Sequence, residues 1–174
     1  MLKILNNIVI MKFKQVNTEK DRDTLSVLIH EIWPEVFIPI IGKAQVDYML
    51  VHYQGKDIIA SEIEKGKQYF FIEHDNAPVG YFAYTLEKER LYISKVYLKK
   101  ECRGKGLSSK VFDHFEETAR SNGKTKLFLR VNRNNKQAID VYLHRGYVIT
   151  QTIDEPLGDF VLEDYAMELN LSDH

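Results

Sequence analysis

The chain has 174 residues, of which 44% are hydrophobic, so a single domain with its own hydrophobic core is the simplest expectation. Its 24 Lys and Arg residues nearly balance its 25 Asp and Glu residues, which excludes a whole-protein field that would hold nucleic acid or an anionic membrane. The single cysteine excludes an internal disulfide framework, and the six histidines lack the spacing of metal ligands. We therefore expect a cytoplasmic protein that has no structural metal and no nucleic-acid or membrane partner.

The N-terminal part of the chain is predicted to be mainly helical. Residues 1–10 are too short to span a bilayer and lack a cleavage site, so we interpret them as an extension before a single domain at residues 11–171. After a strand at 11–17, residues 18–24 open a helix that Trp33 and Pro34 are predicted to end. Two more helices should follow, one through Val46 and Leu50 and one that Gly66 closes.

The rest of the chain alternates between strands and helices. Residues 67–100 are rich in aromatic and β-branched side chains and predict an antiparallel meander of three strands. An amphipathic helix from Leu107 should stop near Gly123. A strand at 125–131, a helix within 134–146 and two closing strands complete the order. This order indicates an α/β (α+β) fold.

The stretch ECRGKGLSSK, residues 101–110, joins a predicted strand to a predicted helix through two glycines. Such a turn aims backbone N–H groups at the positive end of the helix dipole, where a phosphate can bind. Gly104 and Gly106 allow close approach of the backbone, and Ser108 and Ser109 add hydroxyl donors. A solvated basic turn is an equally good interpretation of the stretch alone.

Two other phosphate-binding motifs can be compared with this turn. The Walker spacing is absent. The dinucleotide motif G-x-G-x-x-G is nearly matched by Gly104, Gly106 and Ser109, but it requires an acidic residue after the next strand. Here that strand ends at Arg130 and Val131, which disfavours a nicotinamide cofactor.

In its order of elements and in two motifs, over roughly residues 67–169, the chain resembles the GNAT family of N-acetyltransferases. The family motif Q/R-x-x-G-x-G/A corresponds to residues 101–106, with Glu101 as a departure at the first position. The second motif, N-x-x-A-x-x-x-Y-x-x-x-G-F, is matched by Asn135, Ala138, Tyr142, Gly146 and Tyr147. The helical N-terminal third is also similar to that of PaiA-like polyamine N-acetyltransferases.

The resemblance implies a mixed, mostly antiparallel sheet of about seven strands that is flanked by helices and splayed between strands 4 and 5. It also implies acetyl-CoA as co-substrate, without a metal. The cofactor-binding residues that it implies are Val96, Tyr97, Leu98, Arg103, Gly104, Lys105, Gly106, Leu107, Ser108, Ser109, Asn135 and Tyr142.

For catalysis, the resemblance implies that the phenol of Tyr142 gives a proton to the leaving thiolate, although a core aromatic residue with an exposed hydroxyl is the simpler alternative. The backbone of residues 96–98 is implied to stabilise the oxyanion. The usual carboxylate on strand 4 is absent, so Ser94 is the candidate for orienting a water. Glu31 and Glu35 are further candidates for the base, but exposed surface positions explain them better.

The function that follows is the transfer of an acetyl group from acetyl-CoA to a primary amine by direct attack in a ternary complex. The amine would belong to a small molecule such as a polyamine, or to a peptide. A catalytically silent acyl-CoA-binding module is the alternative, and a nucleotide-binding protein that uses the same turn is a third. The sequence leaves open the acceptor and the oligomeric state, including a homodimer.

Overall fold

The computed structural model describes residues 10–173. A seven-stranded sheet has the order β1-β2-β3-β4-β5-β7-β6, and every neighbouring pair is antiparallel except β4 and β5. The strands are β1 (Met11–Gln15), β2 (Gln68–His74), β3 (Ala77–Leu86), β4 (Arg90–Leu98), β5 (Lys126–Asn132), β6 (Val148–Leu157) and β7 (Phe160–Asn170). The helices are α1 (Glu19–Ile41), α2 (Lys43–His52), α3 (Lys56–Glu64), α4 (Leu107–Ser121) and α5 (Lys136–His144). The mixed sheet with flanking helices confirms the predicted fold class.

The predicted extension at residues 1–10 lies, apart from Ile10, outside the residues that the structure describes. The first strand begins at Met11, as the sequence pattern indicates.

The sheet buries a separate hydrophobic cluster on each face. On one face α4 and α5 pack on the strands, and Phe82 and Phe115 are fully buried there. On the other face α1 and α3 cover β2–β4, and Leu25 and Tyr81 are fully buried there. Strands that are covered on both faces need apolar residues at successive positions, which explains the aromatic runs of β2 and β3.

Helix α1 does not end at Pro34 as predicted but continues through Pro34 and Pro39 to Ile41. A proline inside a helix removes one hydrogen bond and costs about 3 kcal/mol. Packing of Trp33 offsets this cost, because its ring lies 4.5 Å from that of Phe37 and its Nε1 donates to the Tyr81 hydroxyl at 3.0 Å. Tertiary contact therefore outweighs the local signal to stop.

By length and mean hydropathy, 1.4 in its most apolar window, α1 could cross a membrane. In the fold, however, Leu25, Ile29 and Trp33 are buried against the sheet, which identifies α1 as a core helix of the domain.

The sheet opens between β4 and β5, as predicted. Their parallel pairing runs only from Arg90 opposite Lys126 to Ile93 opposite Leu129. Beyond this point residues 95–98 of β4 pair only with β3, whereas residues 130–132 of β5 pair with β7. We call the resulting opening the gap. At its start Ser94 is an extra residue in β4, because Ile93 lies opposite Tyr84 and Lys95 lies opposite Ala83.

Candidate active site

The glycine turn between β4 and α4 forms the first part of the site. Gly104 and Gly106 have φ values of 72° and 78°, a region that residues with a Cβ rarely adopt. Nothing lies within 4 Å of a Cβ built at either position, so the two glycines serve the backbone conformation while the space beside them stays open. Gly106 is the N-cap of α4 and no side chain caps this end. The first N–H groups of α4, from Leu107 to Ser109, can therefore bind an anion.

Of the polar residues predicted to surround a phosphate, Lys105 and Ser109 are exposed and Ser108 is half-buried. The Arg103 guanidinium is already engaged: its Nη1 donates to Glu35 Oε1 at 3.0 Å, and its Nε donates to the Leu98 carbonyl at 3.1 Å. The ion pair with Glu35 joins the turn to α1 and lowers the pKa of that carboxyl. Phosphate binding by Arg103 stays a prediction.

A second ion pair joins the same two elements. Lys99 Nζ lies 3.3 Å from Glu31 Oε2, one helical turn before Glu35. Glu31 and Glu35, which the sequence leaves as candidate bases, thus both hold basic residues at the end of β4 and in the turn.

The open edge of β4 offers backbone groups to a ligand in the gap. The Lys99 N–H donates to the Val79 carbonyl at 2.8 Å, so the backbone groups of Lys99 and, by alternation, of Tyr97 face β3. Those of Val96 and Leu98 face the gap. Residues 96–98 therefore do not all offer backbone groups to the gap. Val96 and Leu98 present N–H groups, whereas the Tyr97 backbone faces β3 and its ring packs beside Trp33 and Phe37 of α1.

Ser94, predicted to orient a water, lies in the bulge at the inner end of the gap. Its hydroxyl donates to the Ala83 carbonyl at 3.2 Å. The oxygen can still accept one hydrogen bond from a water or a ligand.

Helix α5 carries the two residues of the second motif. Asn135 is the N-cap of α5, and its Oδ1 accepts from the Ala138 N–H at 3.3 Å, which leaves the amide NH2 to donate. The ring of Tyr142, about two turns later, packs 5.6 Å from Phe112 of α4. Burial raises the pKa of Tyr142 to about 12, so its phenol stays protonated at neutral pH.

Tyr142 packs on the same hydrophobic cluster as Val96 and Val131, which lie on the two strands that border the gap. A proton donor is thus held on the α4–α5 face of the sheet, on the side where both strands place apolar side chains at the gap.

A groove between α4 and α5 continues from the glycine turn. Its cavity has a volume of about 440 Å³ and is lined by Ser108, Ser109, Phe112 and Val141, among others. Arg145 joins the two helices there, since it donates to Asp113 at 2.7 Å and to Ser109 at 3.2 Å.

The opposite face of the sheet carries a buried polar network that was not predicted from the sequence. Lys95 Nζ donates to Tyr69 Oη at 2.6 Å and to Gln54 Oε1 at 3.0 Å, and it lies 3.7 Å from Glu62 Oε2. Burial lowers the pKa of Lys95 to about 8, although Glu62 opposes this shift. Burial disfavours the charge of Glu62, but Lys95, Lys67 and Tyr69 outweigh it and lower the pKa of Glu62.

On the same face β5 places Arg130 beside the gap, and β7, one strand further from the gap, places Asp164 next to Arg130. Arg130 Nε donates to Asp164 Oδ2 at 3.1 Å, and its Nη2 lies 2.7 Å from Glu155 Oε2. Only 13% of the Asp164 side chain is exposed, and this burial raises its pKa against the opposing effect of Arg130. Among residues 10–173, no group of three or more His, Cys, Asp and Glu side chains is placed to hold a metal ion.

The sequence of the chain matches the family described as acetyltransferase (GNAT) family over residues 28–147. The chain belongs to this family. The match contains the C-terminal part of α1, the β2–β4 meander, the glycine turn, the gap and the second motif up to Tyr147, so the resemblance predicted from the two motifs is confirmed.

Individual relatives agree with this assignment. An uncharacterized N-acetyltransferase of Lactobacillus delbrueckii subsp. lactis is 26% identical over 167 residues, which cover 91% of this chain and 96% of that protein. The thialysine N-epsilon-acetyltransferase of Bos taurus is 40% identical over 67 residues, or 38% of this chain. That match spans only 39% of the bovine enzyme.

Solved structures share the fold over nearly the whole chain. The PaiA N-acetyltransferase of Thermoplasma acidophilum, in complex with coenzyme A, has a TM-score of 0.78 at 17% identity, covering 92% of this chain and 99% of that one. A GNAT-family protein of Rhodopseudomonas palustris has a TM-score of 0.76 at 15% identity, covering 91% and 94%. At these identities the likeness concerns the fold alone.

Proposed function

We propose that the chain transfers the acetyl group of acetyl-CoA to a primary amine by direct attack in a ternary complex. The observation that carries the proposal is the gap. The unpaired edge of β4 at Val96 and Leu98 borders it, the uncapped N-terminus of α4 at Gly106 follows the same strand, and the protonated phenol of Tyr142 packs on the same cluster as Val96. These features fit the diphosphate, the amide-bearing arm and the thioester of one extended co-substrate.

Each part of the site has a role in binding the co-substrate or in catalysis. The N–H groups that open α4 would hold the diphosphate, and the groove between α4 and α5 would receive the remainder of the nucleotide end. The backbone N–H of Val96 can stabilise the oxyanion that forms when an amine attacks the thioester carbonyl. Tyr142 can protonate the departing thiolate, because its raised pKa keeps the proton available until charge develops on sulfur.

The acceptor is a primary amine of a small molecule or a peptide. The thialysine enzyme, whose name gives an acceptor, matches 38% of this chain, and the likeness to PaiA concerns the fold, so the proposal stays at the level of the amine.

The test is thiol release from acetyl-CoA with a panel of polyamines, thialysine and lysine, aminoglycosides and short peptides. We expect turnover with at least one class. Tyr142→Phe should lower kcat by about 100-fold or more, while acetyl-CoA affinity changes little. Micromolar binding of acetyl-CoA without turnover on any amine would instead indicate the silent binding module. Unchanged kcat in Tyr142→Phe would remove Tyr142 from the acid role.

A further inference from the structure

The groups described so far supply a proton to the thiolate but take none from the amine. An alkylamine is protonated at neutral pH and cannot attack a thioester until it loses a proton. In β4 the side chain at the start of the gap is Ser94, whose hydroxyl is bound to a carbonyl, and Glu31 and Glu35 hold Lys99 and Arg103. A carboxylate from another strand can fill this role if the fold brings it to the gap.

Asp164 of β7 meets this condition. It lies opposite Asn132, the last residue of β5 at the gap. Its neighbours Tyr165 and Met167 belong to the cluster on the α4–α5 face, so by alternation Asp164 points to the other face. Its Oδ2 accepts from Arg130 Nε at 3.1 Å, and Arg130 lies in the part of β5 that borders the gap, so the carboxylate lies one strand from the gap. Tyr142 packs on the α4–α5 cluster, so the phenol and the carboxylate lie on opposite faces of the sheet.

One oxygen of Asp164 is available. Among residues 10–173 both the hydrogen bond and the ion pair from Arg130 reach Oδ2. The charged and titratable groups that act on Asp164 are Arg130 from β5, Arg133 just after β5, Glu155 from β6, and Tyr92 and Tyr97 from β4. A carboxylate with one oxygen fixed by arginine and one left open can bind an ammonium group in a defined direction.

We propose that Asp164 binds the ammonium group of the acceptor through its open oxygen and takes the proton that frees the amine for attack. This inference rests on the proposed function. The amine lone pair then forms the C–N bond, the C–S bond breaks, and Tyr142 gives its proton to sulfur. A second N–H proton, lost as the amide forms, replaces the one that left Tyr142, and Asp164 releases its proton to water.

The test compares Asp164→Asn with Glu163→Gln, which makes the same change one residue earlier, at a more exposed carboxylate on the opposite face. For the amine that gives the highest turnover, Asp164→Asn should lower kcat/KM by about 100-fold or more, with acetyl-CoA affinity unchanged. Glu163→Gln should stay within about twofold of the wild type.

The pH profile separates a base from a merely structural residue. Wild-type kcat/KM should fall at low pH as Asp164 becomes protonated. In Asp164→Asn this acid limb, which reports the titration of Asp164, disappears. The value of kcat/KM then follows the neutral fraction of the amine and increases about tenfold for each unit by which the pH rises toward the pKa of the amine. Asp164→Glu keeps a carboxylate for Arg130 and should restore the limb at reduced kcat.

A fluorinated analogue of the acceptor, whose amine is already neutral at the assay pH, gives a second readout. With this analogue the loss of kcat/KM caused by Asp164→Asn should be less than about tenfold, since no proton must be removed before attack. If the wild type turns over while Asp164→Asn keeps its rate and its acid limb, the inference about Asp164 is wrong. If the wild type neither binds acetyl-CoA nor releases thiol, the proposed function itself is wrong.

Discussion

The buried ammonium of Lys95 makes a prediction about stability that can be worked from the structure. Only 7% of its side chain is exposed, and burial lowers its pKa from an ordinary value of 10.5 to about 8. In the pH interval between these two values the unfolded chain binds more protons than the folded one. The free energy of unfolding must therefore rise with pH across this interval.

The size of the effect follows from the two pKa values. A difference of one pKa unit corresponds to 1.36 kcal/mol, so charging Lys95 in the folded protein costs about 3 kcal/mol at neutral pH. Most of this cost disappears as the ammonium loses its proton. From this residue alone, the free energy of unfolding should increase by about 2 kcal/mol between about pH 7.5 and about pH 9.5.

The assay is urea denaturation of the wild type and of Lys95→Met at several pH values in this range. Methionine keeps an unbranched chain of similar length but carries no charge. The difference between the two unfolding free energies should change by about 2 kcal/mol, because the other titrating groups are common to both proteins. Lys88→Met, at an exposed turn residue, should follow the wild type. Parallel curves for wild type and Lys95→Met would refute the reasoning.

Two glycines give further predictions. Gly80→Ala would place a Cβ in overlap with the Tyr97 carbonyl oxygen and 2.9 Å from Leu98 Cδ2, so a loss of about 3 kcal/mol in urea denaturation is expected, and an unchanged midpoint would contradict it. Gly106→Ala meets open space but has a φ of 78°, so about 1 kcal/mol of stability and also coenzyme A affinity should be lost. Gly123→Ala, with a φ of 66° at the other end of α4, is the control: it should lose similar stability but bind coenzyme A like the wild type in calorimetry. If Gly106→Ala and Gly123→Ala bind coenzyme A with the same affinity, the turn does not have the proposed role.

Much of the fold follows from local sequence signals. The glycine turn between β4 and α4 and the amphipathic α4 depend on neighbouring residues, and both were predicted correctly. Pro34 shows the limit of such signals. A proline is a local signal that ends a helix, but α1 continues through it because Trp33 packs against Tyr81, which is far along the chain.

The polar groups on the α1–α3 face were missed because they depend on strand register. In a regular strand Lys95 would share a face with Leu91 and Ile93, in the apolar cluster below α4. The bulge at Ser94 shifts the alternation, so Lys95 turns toward α3 while Val96 enters that cluster. The break in the apolar pattern of β4 between Ile93 and Val96 is a signal that could have predicted the bulge.

Asp164 carries no comparable local signal. Its place one strand from the gap depends on the pairing of β7 with β5, which are separated in sequence by α5 and β6. The partner of Arg103 was equally out of reach, since Glu35 lies in a helix far earlier in the chain. In both cases the sequence supplies the residue type, and long-range topology supplies the neighbour.

The two ion pairs between α1 and the end of β4 limit how this chain can be re-engineered. Exchanging the helical N-terminal segment for that of a relative would also exchange the partners of Lys99 and Arg103. A graft without acids at positions 31 and 35 would leave Lys99 without its carboxylate and Arg103 with the Leu98 carbonyl as its remaining partner. Chimeras of this kind therefore need the acidic pair transplanted together with the new helix.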